Sequence, residues 1–261
     1  MTRRSALLLG LVVAGSFFGG RAFAEEYRRG KDVLRRIADK YHAVRVSEKW
    51  PNQDLFARGN PQVAGKLHED GGANFRALGP GDASAMLREI GRIPGVVVVA
   101  TANHGGGAHG MVGGHRDGFV HMVDGIDPGI NRTFKDGTKV RRRPLDKTDP
   151  NINMFYHIWV TTPEAAAAVA KYADDKHATK RGEGVNCSGL CSKALQAGGK
   201  SHRPDHPFNR VGYHGWGWDV VHALDAHEAG WPQMVLWVPN GDYARRVFNG
   251  DHAVVNYGHE K

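Results

Sequence analysis

The run Val96-Val97-Val98-Val99-Ala100, opened by Pro94-Gly95, constrains the fold more than any other stretch of the chain. An unbroken apolar segment of strand length, rich in β-branched residues and bounded by turn residues, reads as a buried strand. Before it, Met86, Leu87 and Ile90 mark a short helix starting near Asp82, and Val33, Leu34, Ile37 and Tyr41 mark a helix over residues 27–42. After it, strands are expected over 109–112 and 118–123, with Gly113-Gly114 and Asp117-Gly118 between them. A second hairpin is expected about Asp136-Gly137, and a strand from Asn153 to Val160. Thr161-Thr162-Pro163-Glu164 combines capping-box spacing with a first-turn proline, so an alanine-rich helix is expected from there to about Ala178. Further helices are expected from about Cys187 to Ala197, stopped by Gly198-Gly199, and from Asp219 to Ala229. Met234 to Val238 reads as a last strand. Residues 50–80, rich in Gly, Asn and Pro, read as loop. The fold class is α+β: a central antiparallel sheet with helices packed against it.

The N-terminus carries Arg3 and Arg4 ahead of an apolar stretch from Ala6 to Phe18, diluted by Gly10, Gly15 and Ser16. That stretch is too short for a membrane span, which needs about 20 apolar residues. Ala22-Phe23-Ala24 fits the small-residue rule for signal cleavage, so residues 1–24 are expected to be a signal peptide and Glu25 the mature start. The protein is then periplasmic or secreted, and Thr2-Arg3-Arg4 hints at twin-arginine export. No other segment is apolar enough to cross a bilayer. The formal charge of +8 includes Arg3, Arg4 and Arg21, so 8 − 3 = +5 remains after cleavage. A mildly basic chain suits anionic surroundings such as a cell wall or lipid headgroups, but a solvated surface is the plainer account. No nucleic-acid partner is expected, and the chain is expected to be a monomer.

Cys187 and Cys191 are the only cysteines, so no disulfide framework holds the fold together. They lie one helical turn apart, where a bridge would be strained although Cα separation alone does not exclude it. Asn186-Cys187-Ser188-Gly189-Leu190 offers another role for a thiol. Asn186 is a good N-cap, which puts Cys187 in the first helical turn. There the helix dipole and unpaired N–H groups favour a thiolate and can hold a developing oxyanion. A buried, inert thiol is the plainer fate, and it is the one expected for Cys191 between its apolar neighbours.

A thiolate hydrolase needs a base, usually histidine, and the chain has 15 histidines. In an antiparallel hairpin, opposed positions have a constant sum. If Val112 faces Gly118, His109 faces His121 on the same side of the sheet, with Cβ atoms about 5 Å apart. One could serve as base and the other could orient it, unless the register slips. His104, in a glycine-rich loop, and His115, expected at the hairpin tip, compete for the same role. His157 reads as a core histidine, and His202 and His206 as loop residues. Trp216 and Trp218, in His214-Gly215-Trp216-Gly217-Trp218, either line a substrate cleft or simply pack. Asn186, beside the thiol, is a further candidate substrate contact.

His-Gly-Met-Val-Gly, then Asp-Gly-Phe-Val-His with its histidine twelve residues after the first, resembles the histidine hairpin of the NlpC-type papain-like hydrolases. Asn-Cys-Ser-Gly-Leu resembles that family's helix start. Here the cysteine follows the histidines, as in the circularly permuted branch that includes lecithin retinol acyltransferase-like proteins and exported bacterial relatives. Trp159-Val160-Thr161-Thr162-Pro163-Glu164, the alanine-rich helix and Asn-Cys are similar to bacterial members of that branch. The resemblance covers about residues 94–200 and departs at the insert Asn103 to Ala108 and at the long C-terminal extension. It implies a permuted papain-like fold with Cys187 as nucleophile, His109 as base and His121 as the orienting residue, and no cofactor. The chain then divides into residues 1–24, an extension over 25–80, and a hydrolase domain with C-terminal extension over 81–261.

The expected activity is a cysteine amidase or peptidase acting on a peptide or acyl substrate, peptidoglycan stem peptides being the natural class. An acyltransferase or lipid-ester hydrolase uses the same acyl-enzyme. Two readings of other kinds compete. His104, His109, His115 and His121 crowd into eighteen residues and could bind metal, although neither His-Glu-x-x-His nor paired Cys-x-x-Cys is present. The third reading is a non-catalytic binding module.

Overall fold

The computed structural model of the chain describes residues 25, 27–41, 44–45, 80–103, 108–125, 140–147, 153–178, 187–212, 228–230, 232–238 and 254–257. The expected signal peptide, almost all of the 50–80 loop, the turn about Asp136-Gly137 and the helix from Asp219, but for its end near Ala229, lie outside them. Helix α1 covers residues 27–40, followed by β1 (Val44–Arg45), α2 (Pro80–Ile90) and β2 (Val96–Asn103). Then come β3 (Ala108–Arg116), β4 (Phe119–Gly125), β5 (Val140–Pro144) and β6 (Asn153–Val160). The remaining elements are α3 (Pro163–Ala178), α4 (Cys187–His202), a 3₁₀ turn (Pro207–Arg210), β7 (Met234–Val238) and β8 (Val254–Tyr257). The eight strands form one sheet in the order β1-β8-β7-β6-β2-β3-β4-β5. Among the described residues only the β1–β8 pair is parallel.

The apolar run in β2 is continuous because both faces of the sheet are covered. Val96, Val98 and Ala100 join the core beneath α1 and α2, with Leu34, Ile37, Met86, Leu87 and Ile90. Val97 and Val99 join the opposite core, with Ala166 and Val169 of α3 and Leu190, Cys191 and Leu195 of α4. The segment expected as an N-terminal extension therefore supplies core residues, and Tyr41 Oη and Lys40 Nζ tie it to Glu89 Oε1 of α2. The cap of α3 is Thr162, its Oγ1 accepting from Ala165 N at 3.2 Å with Pro163 first in the helix, one residue after the Thr161–Glu164 spacing of a capping box.

Two expectations fail at glycines. Gly198-Gly199 do not stop α4, which runs on to His202. A Cβ at Gly198 would lie 2.5 Å from Val169 Cγ2 and 3.0 Å from the Ala165 carbonyl. The glycine is there to let α3 and α4 touch, and packing outweighs its poor helix propensity. Gly113-Gly114 likewise do not turn the chain. They are strand residues, and a Cβ at Gly114 would overlap the Ala166 carbonyl of α3. The turn is Asp117-Gly118 alone, with φ of 53° and 86°, the pair of positive values that a two-residue type I′ hairpin turn requires.

Candidate functional site

Moving the turn moves the register. Val112 pairs with Val123 and His115 with Val120, a sum of 235 where 230 was expected. His121 therefore falls across from Gly114, and His109 does not face it. The shift of five is odd, and an odd shift exchanges the faces of one strand relative to the other. The expected His109–His121 pair is not formed. His121 lies toward Asp174 of α3 and Arg142 of β5, with its ring 5.8 Å from Phe119 in a T-shaped contact. Burial, and then Arg142, hold its pKa below the usual histidine value, against the pull of Asp174, Asp117 and Asp146. His115 is half-buried within β3 rather than exposed at the tip, and burial lowers its pKa against Gly118 and Asp117.

Cys187 is the first residue of α4 and is partly exposed, while Cys191, one turn further on, is 1 % exposed. Both are reduced thiols. Ser188 Oγ lies 3.7 Å from Cys187 Sγ, and Ser192 Oγ donates to the Ser188 and Gly189 carbonyls within the first turns of the helix. Beneath both cysteines runs β3 at Gly110. A Cβ there would sit 3.1 Å from Cys191 Sγ and 3.6 Å from the Cys187 carbonyl oxygen. Gly110 is thus the strand residue against which the start of α4 packs, and no sequence signal singled it out apart from its place beside His109.

His109 pairs through its backbone with Ala102, next to Gly110. Because Gly110 takes the α4 face, the pleat gives position 109 the backbone register of Met111, on the other face. His121, four residues up the strand from Gly110 in register, is about 13 Å away along β3. The described backbone therefore gives position 109 the face of the sheet away from α4, and leaves position 121 on the α4 face but well along the strand. Asn186, Trp216, Trp218 and His104 lie outside the described residues. His157 is a core residue as expected, 2 % exposed and stacked 6.0 Å from Trp159. Among the described residues no cluster of three or more His, Cys, Asp or Glu could hold a metal.

A cavity of about 400 Å³ opens at the other end of α4, lined among others by Trp159, Thr161, Thr162, His202, His206 and Gln233. Sixteen helical residues separate it from Cys187 by about 22 Å, so it is not the thiol's cleft. His202 and His206 meet there with ring centroids 5.0 Å apart, edge to face. Phe208 N donates to His206 Nδ1 at 3.2 Å, which leaves the neutral ring's proton on Nε2, 3.4 Å from Thr161 Oγ1. Burial first, then His202 and Arg203, push His206 down to about 4 against Asp205. His202, 3.5 Å from Thr162 Oγ1, is lowered by burial and Arg203. This pair was expected in a loop. Carrying α4 through Gly198-Gly199 is what puts His202 in its last turn.

Comparison of the chain with protein-family models, curated proteins and solved structures finds no match.

Proposed function

We propose that the chain is a cysteine hydrolase of the permuted papain-like type, with Cys187 as nucleophile and cell-wall peptide amides as its substrate class. One observation carries the reading: the partly exposed thiol of Cys187 opens a 16-residue helix. The dipole and N–H groups of a first turn stabilise a thiolate and then an oxyanion. Sγ attacks the carbonyl, and the N–H groups after Cys187 hold the tetrahedral oxygen. The intermediate collapses to a thioester as the amine leaves with a proton, and water then releases the acid.

For the base we take His109, whose backbone adjoins Gly110. The described backbone gives position 109 the face of Met111, away from α4, so the choice of His109 rests on the motif His-Gly-Met-Val-Gly alone. His121 has no part in this scheme, because its strand position is remote. Export to the periplasm or medium belongs to the same proposal and rests on Arg3, Arg4 and Ala22-Phe23-Ala24.

The test is intact-mass spectrometry of the protein quenched during incubation with cell-wall peptides. A mass increase equal to an acyl group on Cys187, absent in Cys187→Ala of unchanged circular dichroism, is expected. Equal turnover by Cys187→Ala and the parent would exclude covalent thiol catalysis. Acyl transfer to an alcohol or amine in preference to water would make the site a transferase, and acylation by phospholipid alone would make the substrate a lipid ester.

A further inference from the structure

The two cysteines differ in a way that a nucleophile alone does not require. Cys187 is reachable from solvent, and Cys191, one turn below it, is buried among Leu190, Ala194 and Val112. Residues four apart on a helix share a face, with Cβ atoms about 5–6 Å apart. Helical side chains also lean toward the N-terminus, so Cys191 leans toward the turn that carries Cys187. Helix geometry puts their Cα atoms about 6.2 Å apart, inside the roughly 4.4–6.8 Å range of disulfides. Their Cβ atoms must close by about 1.5 Å to bond, which the first turn of a helix can supply because no preceding turn holds it. Gly110 adds room, since any side chain there would press on Cys191 Sγ.

We propose that Cys187 and Cys191 form a peroxide-operated switch, Cys187 being the oxidised thiol and Cys191 the resolving one. The proposal rests on the reading of Cys187 as the reactive thiol. In the first step the Cys187 thiolate attacks a hydroperoxide. The O–O bond breaks, one oxygen stays on Sγ as a sulfenic acid, and the other leaves as hydroxide or alkoxide and takes a proton. In the second step Cys191 Sγ attacks Cys187 Sγ. The S–O bond breaks, and the hydroxide leaves with the Cys191 proton as water. Two thiols are oxidised to one disulfide, and the hydroperoxide is reduced. The bridge blocks the nucleophile and protects it from irreversible over-oxidation. Its strain makes it easily reduced, which is the property of a switch rather than of a structural staple.

The full chain, reduced and then given a few equivalents of hydrogen peroxide, is quenched with a maleimide and weighed intact. A loss of about 2 Da with no maleimide added, reversed by dithiothreitol, is expected of the parent. Cys191→Ala is expected to gain about 16 or 32 Da at Cys187 instead. Cys191→Ser, closer in size, repeats that test should the alanine variant fold poorly. Cys187→Ala is expected to oxidise at least roughly tenfold more slowly, its one remaining thiol being buried. Parent protein that over-oxidises like Cys191→Ala, or that loses mass only as a covalent dimer, overturns the switch. Native iodoacetamide labelling separates the two ideas. Labelled Cys187 without a bridge removes the switch and leaves the nucleophile, whereas unlabelled Cys187 removes both.

Discussion

Acidification should loosen this protein through one ring, His206. In the folded state its Nδ1 accepts from Phe208 N, its ring abuts His202, and burial holds its pKa at about 4 against an ordinary value of 6.5. The depressed value means that the unfolded chain binds more protons between those two values. Stability therefore rises with pH across that window, is fully present above about 6.5, and is lost as pH falls toward about 4. At about 1.36 kcal/mol per pH unit the gap sets a ceiling of about 3.4 kcal/mol. Solvent in the cavity screens the charge, which brings the expected loss down to about 1.5 kcal/mol. His206→Asn keeps a side-chain acceptor for Phe208 N, as asparagine does at helix starts, and removes the titration. Urea unfolding of both proteins at pH 7.5, 6.0 and 4.5 measures the difference, since carboxylates common to both cancel. The parent should lose about 1.5 kcal/mol more than the variant between the first and last pH. Parallel losses would refute the argument and make the ring's burial irrelevant to stability.

Five further outcomes can be measured. Loss of proton transfer in His109→Ala should lower turnover by about 10²–10⁴-fold, whereas His121→Asn should stay within about threefold of the parent, with folding checked by circular dichroism. Cys191→Ala leaves a small void against Gly110 and Val112 and should cost about 1 kcal/mol in urea unfolding. Gly114→Ala collides with the Ala166 carbonyl and should cost about 3 kcal/mol or prevent folding. Gly118→Ala, with nothing within 4 Å, should cost only the roughly 1 kcal/mol of a positive φ. N-terminal sequencing of exported material should begin near Glu25, and an intact Met1 terminus in a membrane fraction would contradict it.

The sequence by itself determined the elements whose signal is local. The valine run, the strand from Asn153 to Val160 and the helix start at Pro163 are readable because backbone preference, apolar period and first-turn proline act within a few residues. It also determined that Cys187 opens a helix and that Cys191 is core. Glycine is where local reading failed. A glycine that turns a chain and a glycine that lets another backbone approach look alike in one dimension. Gly113-Gly114 and Gly198-Gly199 read along the chain as turn and stop, yet they are contact points for β4, α3 and the segment at Asn209. Only the tertiary structure decided that, because the atoms that would collide with a Cβ come from elsewhere in the chain. The consequence reaches the site. With β3 running straight through its glycines to Asp117-Gly118, the hairpin register moves by five, His121 no longer faces position 109, and Gly110 is the residue on which the start of α4 packs. Strand pairing is a long-range choice settled by which faces the helices cover, and no spacing of histidines along the chain encodes it.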